Sequence, residues 1–254
     1  MKGLSVSAVE GLPLFGAGDD LAAIVGDAIA AQGGLADGDV VVFAQKVVSK
    51  VEGRTVPLAQ VRPSERSREV AARCEKPAEL VELALAQSQE LMRTAPNLII
   101  VRHALGHVLA NAGIDASNVQ SGAQGETVLL WPKDPDASAS ALRETLQARF
   151  GVRLAVVISD SLGRAWRMGT MGTAIGSAGL RPIRDRRGET DLFGRVLQAT
   201  VIGVVDEIAA AASLVIGEAT EGTPVAVVRG AVYDADETAG VGEILRPIEQ
   251  DLFR

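Results

Sequence analysis

The chain has 254 residues, 47% of them hydrophobic and 22% charged, and a formal net charge of −7. That composition can bury a good core, in one large domain or two small ones, and it argues against wholesale disorder. The acidic balance argues against a general binder of nucleic acid or of anionic membrane, though a local basic pocket stays open.

In chain order, Leu4 to Val9 predicts a strand, followed by the turn-rich segment Gly11 to Gly16. Asp19 or Asp20 can cap a helix from Leu21 to Ala31, which Gly33-Gly34 ends. Asp39 to Ala44 is a strong strand, and Gln45, Lys46 and Lys50 follow it. A lysine just past a strand is a common way to set a point charge on a phosphate; a solvated surface helix is the plainer reading. Residues 63–93 carry two helical patterns split by Pro77. Cys74, the only cysteine, reads as a helix-packing residue, and alone it excludes intrachain disulfides and thiolate clusters.

Asn97 to Arg102 predicts a strand, and His107 to Ala112 another. His103 and His107 are four apart, but the segment reads as strand, turn, strand, so a shared zinc site is the minority reading. In the polar turn from Asn111 to Asn118, Asp115 and Asn118 offer a carboxylate and a carboxamide to a ligand, or simply an Asx turn. Thr127 to Trp131 is a further strand, Pro132 to Ser138 a linker-type connection, and Ala139 to Phe150 a helix.

The apolar run Leu154 to Ile158 predicts a buried strand that ends in Ser159-Asp160-Ser161. A carboxylate and a hydroxyl at a strand end suit a hard cation, and Arg164 and Arg167 just beyond suit phosphate or carboxylate. A helix cap or turn is the bland alternative. Residues 163–194 read as a long functional loop or an irregular strand pair. Asp206 to Val215 is an alanine-rich helix and Pro224 to Arg229 a strand. Between them Gly217 to Thr223 has small residues that let backbone N–H groups approach a nucleotide, and Glu218 could hold a metal; an ordinary acidic loop is the alternative. There is no G-x-x-x-x-G-K-[ST] pattern and no G-x-G-x-x-G in a strand–helix context. With no signal-peptide pattern and no apolar run of membrane-spanning length, the expectation is a soluble, cytoplasmic protein. The irregular alternation of strands and helices argues α+β.

No single motif decides the function, but their order does. The chain resembles the coenzyme F-420-0:L-glutamate ligase family, the enzymes that attach γ-linked glutamates to the deazaflavin coenzyme F-420. The resemblance is carried by Leu12-Pro13-Leu14-Phe15, AQKVVSKVEGR at 44–54, HVLANAGIDASNV at 107–119 and VVISDSLGRAWRMGTMGTAIGSAGL at 156–180. It continues in RDRRGETDLFGR at 184–195, VVDEIAAAASLVIGEATEG at 204–222 and PVAVVRGAVY at 224–233.

The resemblance implies a GTP-dependent ligase with two divalent cations, Mg²⁺ or Mn²⁺, and K⁺ as a further ion. It implies Asp115, Asp160, Ser161 and Glu218 as metal ligands, with Asp115, Asp160 and Lys50 in catalysis. GTP would lie on Leu12, Pro13, Leu14, Phe15, Gln45, Lys50 and Asn118, and on the loop Ile216, Gly217, Glu218, Ala219, Thr220, Glu221, Gly222 and Thr223. It implies a two-part α+β fold, a single ligase domain over 1–254 without the flavin-reductase domain of actinobacterial relatives, and an intertwined homodimer. The substrates would be coenzyme F-420-0 and L-glutamate. Met168 and Met171, where polar residues are expected, leave a paralogous GTP- and metal-dependent amide ligase for a different acid as an alternative. A non-catalytic GTP-binding subunit is another.

Overall fold

The structure, a computed structural model, describes residues 3–121 and 125–251. The chain opens with β1 (Ser5–Ala8), α1 (Leu21–Ala31), β2 (Val40–Ala44), α2 (Gln45–Val51) and β3 (Thr55–Pro57). Then come α3 (Glu65–Cys74), α4 (Ala78–Ala86), β4 (Ser88–Ala95), β5 (Leu98–His103), β6 (Val108–Ala110) and β7 (Thr127–Leu129). It continues through α5 (Pro135–Phe150), β8 (Ala155–Gly163), β9 (Thr170–Ala178), β10 (Arg184–Asp185), β11 (Val201–Ile202), α6 (Val204–Ile216) and β12 (Val225–Arg229).

The main sheet has the order β1-β12-β2-β8-β9. β2 and β8 are parallel and the other pairs antiparallel. Both central strands are buried on two faces. Val41, Phe43, Val156 and Ile158 pack toward α1 and α5, whereas Val40, Val42, Ala155 and Val157 pack toward α6. Double burial is why these strands read as continuous apolar runs rather than as an alternation. In a second unit, α3 and α4 lie against the β4-β5-β6 sheet around Val70, Cys74, Val81 and Val101. Cys74 is fully buried there, as expected of a packing residue. The whole is a mixed α/β structure with several sheets.

Local chemistry sets several boundaries. Asp20 caps α1 by accepting from the Ala23 N–H, while Asp19 accepts from the Gly16 N–H and braces the preceding loop. α5 starts at Pro135, four residues before Ala139, because Asp134 caps it and proline fits the first turn. The Pro132 to Ser138 stretch is therefore largely helix start, not linker. Residues 88–93, read with the helical patterns, belong to β4, which pairs with β5. After β6, residues 111–113 make a short 3-10 turn rather than continuing the strand.

The largest correction concerns β8. It does not stop at Ile158 but runs on through Asp160 and Ser161 to Gly163, paired with β9. Part of the 163–194 region is thus a strand pair, with β9 as its second strand. The register shifts by one residue between Ile158 and Ser159, leaving Ile175 of β9 as the extra residue. Such bulges re-aim side chains and favour active sites; here the bulge sits immediately before Asp160.

Candidate active site

A cleft of about 830 Å³ opens beyond the C-terminal ends of the parallel strands β2 and β8, where ligands bind in open α/β sheets. Five segments wall it: Leu12 to Phe15; Gln45, Lys46 and Lys50 of α2; Asp115, Ser117 and Asn118; Ser159 to Gly163 of β8; and Ile216 to Gly222 after α6. The residues that the resemblance assigns to metal and nucleotide are thereby gathered on one surface, except Thr223, while Arg164 and Arg167 fall outside its lining. The Thr223 hydroxyl donates to the carbonyls of Val215 and Ile216 at 3.0 and 3.2 Å, closing the last turn of α6.

Asp160 is the most constrained acid. Its Oδ2 accepts from the Trp131 indole N–H at 2.7 Å and its Oδ1 from the Ser161 N–H at 2.8 Å. Burial pushes its carboxyl pKa up, opposed by those two hydrogen bonds and by the Lys46 charge. Ser161 Oγ lies 2.6 Å from both Glu218 oxygens. Asp115 accepts from the Ser117 N–H and hydroxyl, the Asx turn, and its other oxygen pairs with Lys46. Burial pushes the Lys46 ammonium down, while Asp160 and Glu218 oppose that shift. Lys50 is likewise lowered by burial. Asn118, with a left-handed φ of 55°, donates to the Ala219 carbonyl at 2.9 Å and ties two walls together.

Four oxygen donors facing a cleft suit a hard cation. Among the described residues, however, no three His, Cys, Asp or Glu side chains come together as a metal cage. Mg²⁺ in phosphoryl-transfer sites commonly keeps waters and substrate phosphates beside one or two carboxylates. The donors therefore fit cations that arrive with a polyphosphate. Two buried carboxamide oxygens, Gln45 Oε1 and Asn111 Oδ1, have no partner among the described residues and can accept from a ligand.

Lys46 is singled out in the sequence with Lys50 as a candidate for a phosphate but stands outside the site the resemblance implies, and Trp131 is not named as a site residue at all. Lys46 carried a signal, a lysine one turn before Lys50 just past a strand. Trp131 carried none, because an aromatic ending an apolar run reads as core. It is 1% exposed and lies between His103 and His107, with ring centroids at 4.9 and 5.4 Å. Gly113 admits it: at φ 67° a Cβ there would stand 2.3 Å from the indole nitrogen. The two histidines serve as walls for this indole, and among the described residues no group of three metal-ligating side chains includes them.

Removing the indole N–H while keeping an aromatic ring, Trp131→Phe, is expected to weaken Mn²⁺ binding about 10- to 100-fold, as for other groups that orient a ligand. Electron paramagnetic resonance titration of free Mn²⁺ reads this directly; unchanged affinity would contradict it.

His103 and His107 make a pH prediction. Burial, helped for His103 by the His107 and Arg54 charges, lowers both pKa values to about 4. An unfolded histidine titrates near 6.5, so between about 6.5 and 4 the unfolded chain binds more protons than the fold. Stability is fully present above that window and falls as pH falls through it. The wild type should lose more unfolding free energy from pH 7 to 4.5 than the His103→Gln/His107→Gln variant, by about 2–4 kcal/mol. Urea unfolding at both pH values measures it, and parallel losses would refute it.

A family model described as F420-0:gamma-glutamyl ligase matches residues 11–230. The chain belongs to this family. It is 46% identical over 255 residues to the coenzyme F420:L-glutamate ligase of Methanothermobacter thermautotrophicus, covering 99% of each chain. It is 44% identical to the protein of the same name from Archaeoglobus fulgidus, covering 99% of this chain and 96% of that one. The Methanopyrus kandleri protein of that name is 39% identical over the full length of both. The family match spans all five walls of the cleft, from Leu12 to Gly222.

Proposed function

We propose that this chain joins the phospholactyl carboxylate of coenzyme F-420-0 to the amine of L-glutamate, at the expense of GTP, and then extends the product by further γ-linked glutamates. The single observation that carries the reading is near full-length identity to coenzyme F420:L-glutamate ligases. The cleft, with its acids, lysines and orphaned amide oxygens, supports it.

A carboxylate does not condense with an amine unaided, because oxide is a poor leaving group. A carboxylate oxygen of the acceptor attacks the γ-phosphorus, the bond to the β–γ bridging oxygen breaks, and GDP leaves. The glutamate nitrogen then attacks the acyl carbon, the carbon–oxygen bond to phosphate breaks, and the amine proton passes to solvent. Phosphoryl transfer of this kind relies on positioning and charge neutralisation.

Asp115, Asp160, Ser161 and Glu218 would hold two divalent cations, Mg²⁺ or Mn²⁺, which neutralise polyphosphate charge when bound; K⁺ is proposed as an additional ion. Lys50 sets a point charge on a phosphate. Leu12, Pro13, Leu14 and Phe15 form an apolar wall for the nucleotide, while Gln45 and Asn118 offer it amide groups. The small residues of the 216–222 loop let its backbone come close.

The working unit is proposed to be a homodimer, which the almost fully exposed Leu192 and Phe193 would serve by packing against a second copy. No described helix is long and apolar enough to cross a membrane, in keeping with action in the cytoplasm.

Incubation with GTP, Mn²⁺, L-glutamate and F-420-0, followed by mass spectrometry, tests the reaction. One glutamyl adduct per GDP is expected in the first round. Consumption of GTP with a different acid, and none with F-420-0, would overturn it in favour of a paralogous ligase.

A further inference from the structure

The β8–β9 hairpin that carries Asp160 and Ser161 does not end at the cleft. Leu162 and Gly163 on one arm and Thr170 on the other line it, so the tip between them, residues 164–169, rises from its rim. Four arginines that follow in the chain are held in ion pairs, while Arg195 and Arg246 have no side-chain ion pair or hydrogen bond among the described residues. Arg181, Arg184, Arg186 and Arg187 pair with Asp236, Asp234, Glu189 and Asp185 at 2.5–3.1 Å. Those at the tip have no such partner. Arg164 donates only to the Gly169 carbonyl, at 3.1 Å, and Arg167 has no ion pair or hydrogen bond among the described residues.

Trp166, between them, is 88% exposed and has a φ of 65°. A bulky residue in the left-handed region is strained, and here the strain goes with a large aromatic face set in solvent instead of in the core. Exposed aromatic and unpaired guanidinium groups on one short turn are what a flat, anionic molecule needs: stacking for the ring, and planar forks for the oxyanion.

We infer that this tip is the seat of the acceptor. The Trp166 indole stacks on the deazaflavin ring of F-420-0, and Arg164 and Arg167 take its phosphate. The arm beyond the phosphate then runs down the hairpin toward Ser161 and Asp160, bringing its terminal carboxylate to the cleft. The four paired arginines are surface structure and do not touch the acceptor. This assignment rests on the activity proposed above and adds the part of the molecule that chooses the acid.

The test is binding, measured without GTP by the fluorescence anisotropy of F-420-0, with GTP binding followed separately by calorimetry. Arg164→Gln/Arg167→Gln and Trp166→Ala should each weaken F-420-0 binding about 10- to 100-fold and leave GTP affinity unchanged. Arg186→Gln, which breaks a pair outside the proposed seat, should bind F-420-0 as the wild type does. The chain has two tryptophans, so at saturating F-420-0 the quenching of indole emission should be smaller in Trp166→Ala, with only energy transfer from Trp131 left. If the wild type binds F-420-0 and the tip variants bind it equally well, the seat is elsewhere and the activity stands. Variants that alter sedimentation but not F-420-0 binding would make the tip a subunit contact and overturn the assignment. A wild type that binds no F-420-0 overturns the proposed activity and this seat with it.

Discussion

Replacing Asp160 with asparagine is expected to lower turnover at least about 1,000-fold, the scale of losing several kcal/mol of charge stabilisation in the transition state. The fold should survive. Burial already disfavours the charged carboxyl at this position, so a neutral amide relieves that cost, though only one of the two hydrogen bonds from Trp131 and Ser161 can be kept. A thermal midpoint within a few degrees of the wild type, together with lost GDP release, separates a site effect from unfolding. Normal turnover by Asp160→Asn would remove this residue from the chemistry.

Lys46→Met is expected to move two quantities in opposite directions. The ammonium pairs with Asp115 and feels Asp160 and Glu218, so it occupies space and charge that a divalent cation would take. Its removal should tighten Mn²⁺ binding several-fold. Turnover should nevertheless fall about 10- to 100-fold, the worth of a charge-assisted contact, because a cation displaced from Asp115 is placed to meet the incoming phosphates. Lys46→Arg should rescue turnover only in part, since a planar fork replaces a compact charge. Titration of Mn²⁺ and steady-state GDP release give the two numbers; weaker metal binding, or unchanged turnover, would contradict this role.

How much could be read from the residues depended on the range of the forces involved. β2 and the first half of β8, Ala155 to Ile158, were plain, because double burial leaves nothing but Val, Ile, Ala and Phe at those positions. α1 was plain because Asp20 announces its start and Gly33-Gly34 its end. α5 began earlier than its apolar period suggests, although Asp134-Pro135 is a local cap signal that accounts for the difference. β4 was hidden: SQELMRTA has no strand pattern of its own, and pairing with β5 decides its conformation.

The site was legible in pieces only. Asp115, Asp160 and Glu218 are far apart in sequence, and each alone fits an Asx turn, a cap or an acidic loop. Their common cleft arises from tertiary contacts, so it was the order of the family's motifs, not any local pattern, that grouped them. The hydrogen bond from Trp131 to Asp160, 29 residues apart, leaves no trace in composition or period. Thr223 shows the reverse. It belongs to the motif by position, yet its hydroxyl serves the end of α6.

The most direct test of the account is the fate of the acceptor's carboxylate oxygen. F-420-0 labelled with ¹⁸O in its terminal carboxylate is incubated with GTP, Mn²⁺ and L-glutamate, and the released phosphate is analysed by mass spectrometry. Transfer of the γ-phosphoryl group to that carboxylate predicts one ¹⁸O atom in each phosphate released, alongside GDP. Amide formation with no label in phosphate would contradict the mechanism proposed for this cleft.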